Sequence, residues 1–218
     1  MNSWLNPENC FFSGIRKMVD LIWLSMLWTV CSLPIVTIGA STTGLYYAVV
    51  KNIRRDRSYP TREFFRGMKE NFFQATGIWI LIMALFFMVL TGDLSVFGDF
   101  LSAETVVDGV FCFFFFLKIC LPMVLFLYAL PMISRFDMKF VAVLEKSIYL
   151  SVRHILYTII LLVLLFVTVI LGMAEFLFFL FFLPGLYCLI ASFLLEPIWK
   201  QYTIPPTKGE NRDCWYME

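Results

Sequence analysis

Charge is scarce in this chain. Only 15% of its 218 residues are Asp, Glu, Lys or Arg, against about 25% in an ordinary soluble domain. Histidine is scarcer still. The single one, His154, excludes a multi-histidine metal centre. The six cysteines show no C-x-x-C spacing, so neither a metal site nor a disulfide framework is expected. Period-2 alternation of polar and apolar residues is missing, which argues against a membrane barrel. No small-residue cleavage site follows a short apolar core near the start, so no cleavable signal peptide is expected and the first apolar helix directs insertion. Two near-motifs also fail. GASTTGL has the glycine spacing of a phosphate loop, but Leu45 stands where Lys is needed. Thr43 stands where a G-x-S-x-G nucleophile elbow needs its second Gly. No cofactor site, enzyme chemistry or nucleic-acid partner is expected.

Apolar sequence fills the space that charge leaves. Hydrophobic residues make up 61% of the chain and aromatics 18%, too much for one water-soluble core. Leu21–Val50 is an uncharged run of thirty residues. Further uncharged runs cover Asn71–Gly92, Gly109–Leu117 continuing as Ile119–Ser134, Ile155–Ala174 and Phe176–Leu195. A helix needs about 20 such residues to cross roughly 30 Å of hydrocarbon, and backbone amides in lipid must bond within their own segment. The reading is an all-α polytopic membrane bundle of about six helices, its partner the lipid bilayer. The expected spans are about 18–36, 38–54, 72–92, 109–131, 154–173 and 176–196, with cytoplasmic loops at 54–70 and 134–153. Residues 1–200 form one transmembrane domain and 201–218 a cytoplasmic tail.

The few charges are sorted by sign. Lys51–Lys69 holds seven basic residues and Arg135–Arg153 holds four, while Thr91–Asp108 holds four acids and no base. Basic loops stay on the cytoplasmic side. The C-terminus is therefore cytoplasmic in the cell membrane, and Arg16 and Lys17 favour the same side for the N-terminus. Both ends then require an even number of crossings through the thirty-residue run. Pro34 breaks or kinks a helix there, so a hairpin hinged near Pro34–Gly39, spanning or re-entrant, is expected. One tilted crossing with the N-terminus outside is the alternative.

Beyond the hinge, Ala40, Gly44 and Ala48 recur every four residues, with Gly39 and Thr43 one position earlier. Small residues at this spacing let helices approach closely in lipid. They serve either packing within the chain or docking of another membrane subunit. Two cytoplasmic segments are amphipathic. In Thr61–Gln74, Phe64, Phe65, Met68, Phe72 and Phe73 share a stripe, and Pro60 opens the helix. This segment is expected to lie at the interface. After Pro131, expected to end the preceding helix, Phe140, Val143, Leu144 and Ile148 suggest a second such helix.

Gly14–Thr76 resembles the bacterial YesL family of integral membrane proteins, in its D-L-I-W…L-W-x-x-C-S-L-P-I-V-T-I-G-A-S core and in the F-F-x-x-x-K-x-N-F-x-Q-A-T end of the basic loop. PMISRFD and the helix through LYTIILL resemble it more loosely. Members tend to be encoded beside carbohydrate uptake systems, often sugar ABC importers. The resemblance implies an accessory role there, with importer permease subunits as partners. It supplies no catalytic or ligand residues.

Lys118 is the one basic residue outside the segments expected to be cytoplasmic, and it lies within an apolar run. An intramembrane charge is costly and marks a candidate functional residue, here with Glu175, Asp108 or Asp93 as partner; the alternative is a lysine that snorkels to an interface. Asp20 and Glu196 are expected near inner span ends, explained by interfacial placement or by pairing with Arg16 and Lys200. Ser41 and His154 carry no protease motif. The competing function is a small transporter or channel, working as a homo-oligomer.

Overall fold

The computed structural model describes residues 10–54, 59–92, 106–174 and 181–202. Among them every regular element is helical. The helices are α1 (Cys10–Cys31), α2 (Ile38–Ala48), α3 (Pro60–Glu70), α4 (Phe72–Gly92), α5 (Val106–Ile133), α6 (Phe140–Arg153), α7 (Ile155–Ala174) and α8 (Leu183–Tyr202). A π-helical turn, Val49–Arg54, continues α2.

α2 is the centre of the fold. It is uncharged all round, and every residue from Gly39 to Val50 is buried, as a helix apolar on all sides must be. It touches α1, α3, α4, α5 and α8.

The thirty-residue run folds as a hairpin. α1 stops at Cys31, Pro34 lies in the turn, and a short 3-10 helix, Ile35–Thr37, leads into α2. Hydroxyls satisfy the groups that the turn frees. Thr37 Oγ1 donates to the carbonyls of Cys31 (2.6 Å) and Pro34 (2.7 Å). Ser32 and Ser41 share a bond of 2.7 Å, and Trp28 Nε1 donates to Thr42 Oγ1 at 3.1 Å.

The tip is tied to α4, where Trp79 Nε1 donates to the Ile35 carbonyl at 2.7 Å. Trp79 is seven residues into α4, and the helix continues thirteen residues further, roughly 20 Å at the helical rise. The hairpin therefore ends well before α4 does.

Three boundaries differ from the sequence reading and one agrees. α1 begins at Cys10 and ends at Cys31, because the turn takes Ser32–Pro34. α4, Phe72–Gly92, has the bounds of the expected span; it is set off from α3 by a break at Asn71, whose Nδ2 donates back to the Gly67 carbonyl at 3.1 Å. Pro131 does not end α5, which runs to Ile133; Ser134 Oγ then donates to the Pro131 carbonyl at 2.7 Å. α8 runs to Tyr202 rather than 196, because Glu196, Ile198 and Trp199 are buried against the bundle. The segments 93–105, 175–180 and 203–218 lie outside the described residues, and with them Asp93, Glu175 and the expected tail.

Two helices, over Phe72–Val89 and Ile155–Met173, are long and apolar enough to cross a membrane. Lys118–Ile133 is a shorter apolar stretch.

Candidate functional site

At the end of the bundle where α2 turns into the basic loop, charged residues of four elements enter the core. The π turn disposes them. Its wider winding, a form often found at functional sites, sends three side chains of Lys51–Arg54 to three different helices. Lys51 Nζ pairs with Glu63 Oε2 of α3 at 2.8 Å and also meets the Tyr47 hydroxyl at 3.2 Å. Asn52 Nδ2 donates to Asp20 Oδ2 of α1 at 3.1 Å. Arg54 donates to the Ser192 carbonyl of α8 at 2.7 Å and lies over the Phe193 ring.

One turn along α8 from Ser192, Glu196 meets Arg135, which follows α5. Both side chains are buried. The guanidinium lies 5.6 Å from the Trp199 ring, and Tyr46 of α2 packs edge-on to that same ring at 5.7 Å. Arginine suits such a place because its flat, weakly hydrated cation stacks on aromatics.

Asp20 and Glu196 make contacts that the sequence reading did not name. Asp20 accepts from Asn52, and Glu196 is a buried partner of Arg135. α3 packs one face into the bundle. Phe64 is fully buried, Glu63 is buried on its pair with Lys51, and Gly67 backs onto the Tyr47 ring. Only Phe65 and Phe73 of the expected stripe are exposed.

The small-residue stripe is buried within the chain. Ala40 and Ala48 are fully covered. A Cβ on Gly39 would stand 2.5 Å from Trp79 Cβ and 2.7 Å from the Ala75 carbonyl of α4. One on Gly44 would stand 2.7 Å from the Phe64 carbonyl of α3. Thr43 Oγ1 reaches the Leu130 carbonyl of α5 at 3.3 Å.

Lys118 is not part of this cluster. It is exposed on α5, beside the residues Ile119 and Cys120 that line an apolar groove against α7. Of its expected partners, Asp93 and Glu175 and the side chain of Asp108 lie outside the described residues. Ser41 and His154 are engaged apart, Ser41 with Ser32 and His154 with Tyr202.

Each of these charges meets an opposite charge, a carbonyl or, at Asp20, a side-chain amide, so the arrangement holds helix ends together. Sequence reasoning missed Arg135–Glu196 and Lys51–Glu63 as pairs. One signal was available: Glu196 is an acid inside the apolar run LLEPIW, and such a residue needs a partner. Nothing in the sequence names Arg135, 61 residues away.

Residues 21–94 match the family model described as "Protein of unknown function, DUF624". The matched stretch runs from within α1 through the turn, α2, α3 and α4. It includes the Lys51–Glu63 pair and the tie between Trp79 and Ile35, while Arg135 and Glu196 both lie outside it; Arg54, through the Ser192 carbonyl, ties it to α8. No curated protein and no solved structure matches the chain.

Proposed function

We propose that this chain is a polytopic cell-membrane protein of the YesL type that serves as an accessory component of carbohydrate uptake. The membrane part rests on one observation. The two most apolar helices leave their surfaces uncovered: only 17% of the Phe72–Val89 window and 11% of the Ile155–Met173 window is buried. The core helix of a soluble protein is apolar because it is covered. Helices this apolar and this bare match lipid, where no drive exists to hide them. α1 adds a third bare face, through Ile15, Met18, Val19, Ile22, Met26 and Val30. The basic ends of α2, α3 and α6 give the cytoplasmic side, and the hairpin that stops beside Trp79 is re-entrant rather than spanning.

The carbohydrate part rests on the YesL resemblance of Gly14–Thr76. An accessory role fits a bundle whose buried charges tie helices together. Purification in mild detergent should retain sugar-importer permease subunits with this chain, and a deletion strain should lose part of its sugar uptake. A preparation free of permease subunits together with unchanged uptake would refute the accessory role.

A second reading makes the chain itself a small transporter or channel. The hairpin ending part-way along α4 and Lys118 in an apolar helix favour it. Purified protein in liposomes should then move solute, and inert liposomes would exclude this reading.

A further inference from the structure

We propose that Arg153, with Tyr149, Tyr202 and His154 around it, binds the phosphate of an anionic membrane phospholipid whose acyl chain lies along α7. The inference rests on the membrane reading above.

The cluster is assembled where three helices end. Arg153 is the last residue of α6, His154 is the single joint, Ile155 opens α7, and Tyr202 closes α8. Arg153 donates to the Tyr149 hydroxyl. Its guanidinium carbon lies 5.7 Å from the Tyr149 ring and 5.6 Å from the Tyr202 ring. His154 stands edge-on to Tyr202 and Tyr157, with Nε2 3.2 Å from the Tyr202 hydroxyl. The guanidinium is therefore held between two aromatic rings while most of its five donors stay available.

Arg153 also differs from the cations that this structure pairs with acids. Lys51, Arg66 and Arg135 each meet a carboxylate, at Glu63, Glu70 and Glu196. Among the described residues Arg153 has no acid partner. A fixed, uncompensated guanidinium is a ready phosphate binder, since its planar fork matches phosphate oxygens. The tyrosine hydroxyls supply further bonds, and tyrosine favours the headgroup level of a bilayer.

The source of the phosphate follows from what adjoins it. Directly after His154, α7 presents Ile155, Leu156, Ile159, Ile160 and Val163, each at least half exposed. Val163 in turn lines a groove of about 430 Å³ between α5 and α7, with Cys120, Met123 and Phe166 among its walls. From Ile155 to Val163 the helix rises about 12 Å, within one leaflet of a hydrocarbon core about 30 Å thick. A charged head at Arg153 and an apolar tail reaching the groove is the shape of a phospholipid. A soluble phosphate would use only the first part of it.

The test uses the full chain reconstituted into bilayer nanodiscs of phosphatidylcholine containing a trace of spin-labelled phosphatidylglycerol, or of spin-labelled phosphatidylcholine as control. The expected result is an immobilised fraction for phosphatidylglycerol at least tenfold enriched over the control and unaffected by millimolar inorganic phosphate. Arg153→Gln should remove the enrichment, Arg153→Lys should keep part of it, and Arg66→Gln on α3 should leave it intact. Equal immobilisation of both lipids, an unchanged Arg153→Gln protein, or an equal loss in Arg66→Gln overturns the site. Release by inorganic phosphate also overturns it, in favour of a soluble anion. If the chain does not enter nanodiscs at all, the membrane reading fails first and takes the site with it.

Discussion

Glu196 of α8 and Arg135 at the end of α5 form an ion pair inside the bundle, with side chains 3% and 2% exposed. Two charges withdrawn from water cost several kcal/mol each, and only a well-placed partner compensates. The pair therefore works chiefly as a register mark: it fixes which turn of α8 meets the end of α5.

Breaking this pair from one side should be severe. Arg135→Met or Glu196→Gln alone is expected to destabilise the protein by roughly 3–5 kcal/mol, because it strands a buried charge or its donors. The double variant Arg135→Met/Glu196→Leu should recover most of that loss. Denaturant unfolding in detergent measures all three. A double variant as unstable as the singles would contradict the account.

The small-residue face gives a second test. Gly39→Ala and Gly44→Ala push a methyl against the α4 and α3 backbones, at 2.7 Å from the Ala75 and Phe64 carbonyls. Overpacking of this kind costs about 1–3 kcal/mol. Gly14→Ala, where nothing lies within 4 Å, should instead gain up to about 1 kcal/mol from helix propensity. Melting temperatures of the three variants should fall on opposite sides of the parent's.

Two buried tyrosines should respond differently to loss of their hydroxyls. Tyr128 bonds Thr158 Oγ1 at 2.8 Å, so Tyr128→Phe should cost about 1 kcal/mol. The Tyr46 hydroxyl is buried with no hydrogen-bond partner among the described residues, so Tyr46→Phe should be neutral or stabilising. A large loss at Tyr46 would reveal a partner for it in a segment outside those residues.

Lys118 can be tested for a role of its own. It is exposed on α5, so Lys118→Met should leave membrane insertion and stability intact. Impaired sugar uptake in that variant would support a functional role for the lysine, while normal uptake would end it.

Much of this fold is legible in the sequence because local chemistry dictates it. Pro34 stops α1 and hinges the run, and Pro60 opens α3 at its first turn, where a missing amide costs nothing. The Ala40–Gly44–Ala48 spacing announces close packing, though only the fold shows that α3 and α4 occupy it. Pro131 misleads because a proline removes a single amide bond and packing can hold the helix through it: α5 carries both Pro122 and Pro131, and Leu127–Leu130, Met132 and Ile133 are buried around the second. The Arg135–Glu196 and Asn52–Asp20 contacts are invisible in the sequence for another reason. They join residues far apart in the chain, and no periodicity encodes which helix ends meet.

The central claim is that the bare apolar helices α4 and α7 lie in lipid. Alkaline carbonate extraction of membranes from cells producing the full chain tests it most directly. The protein should stay wholly in the membrane pellet and leave it only with detergent. Release into the carbonate supernatant would contradict the account.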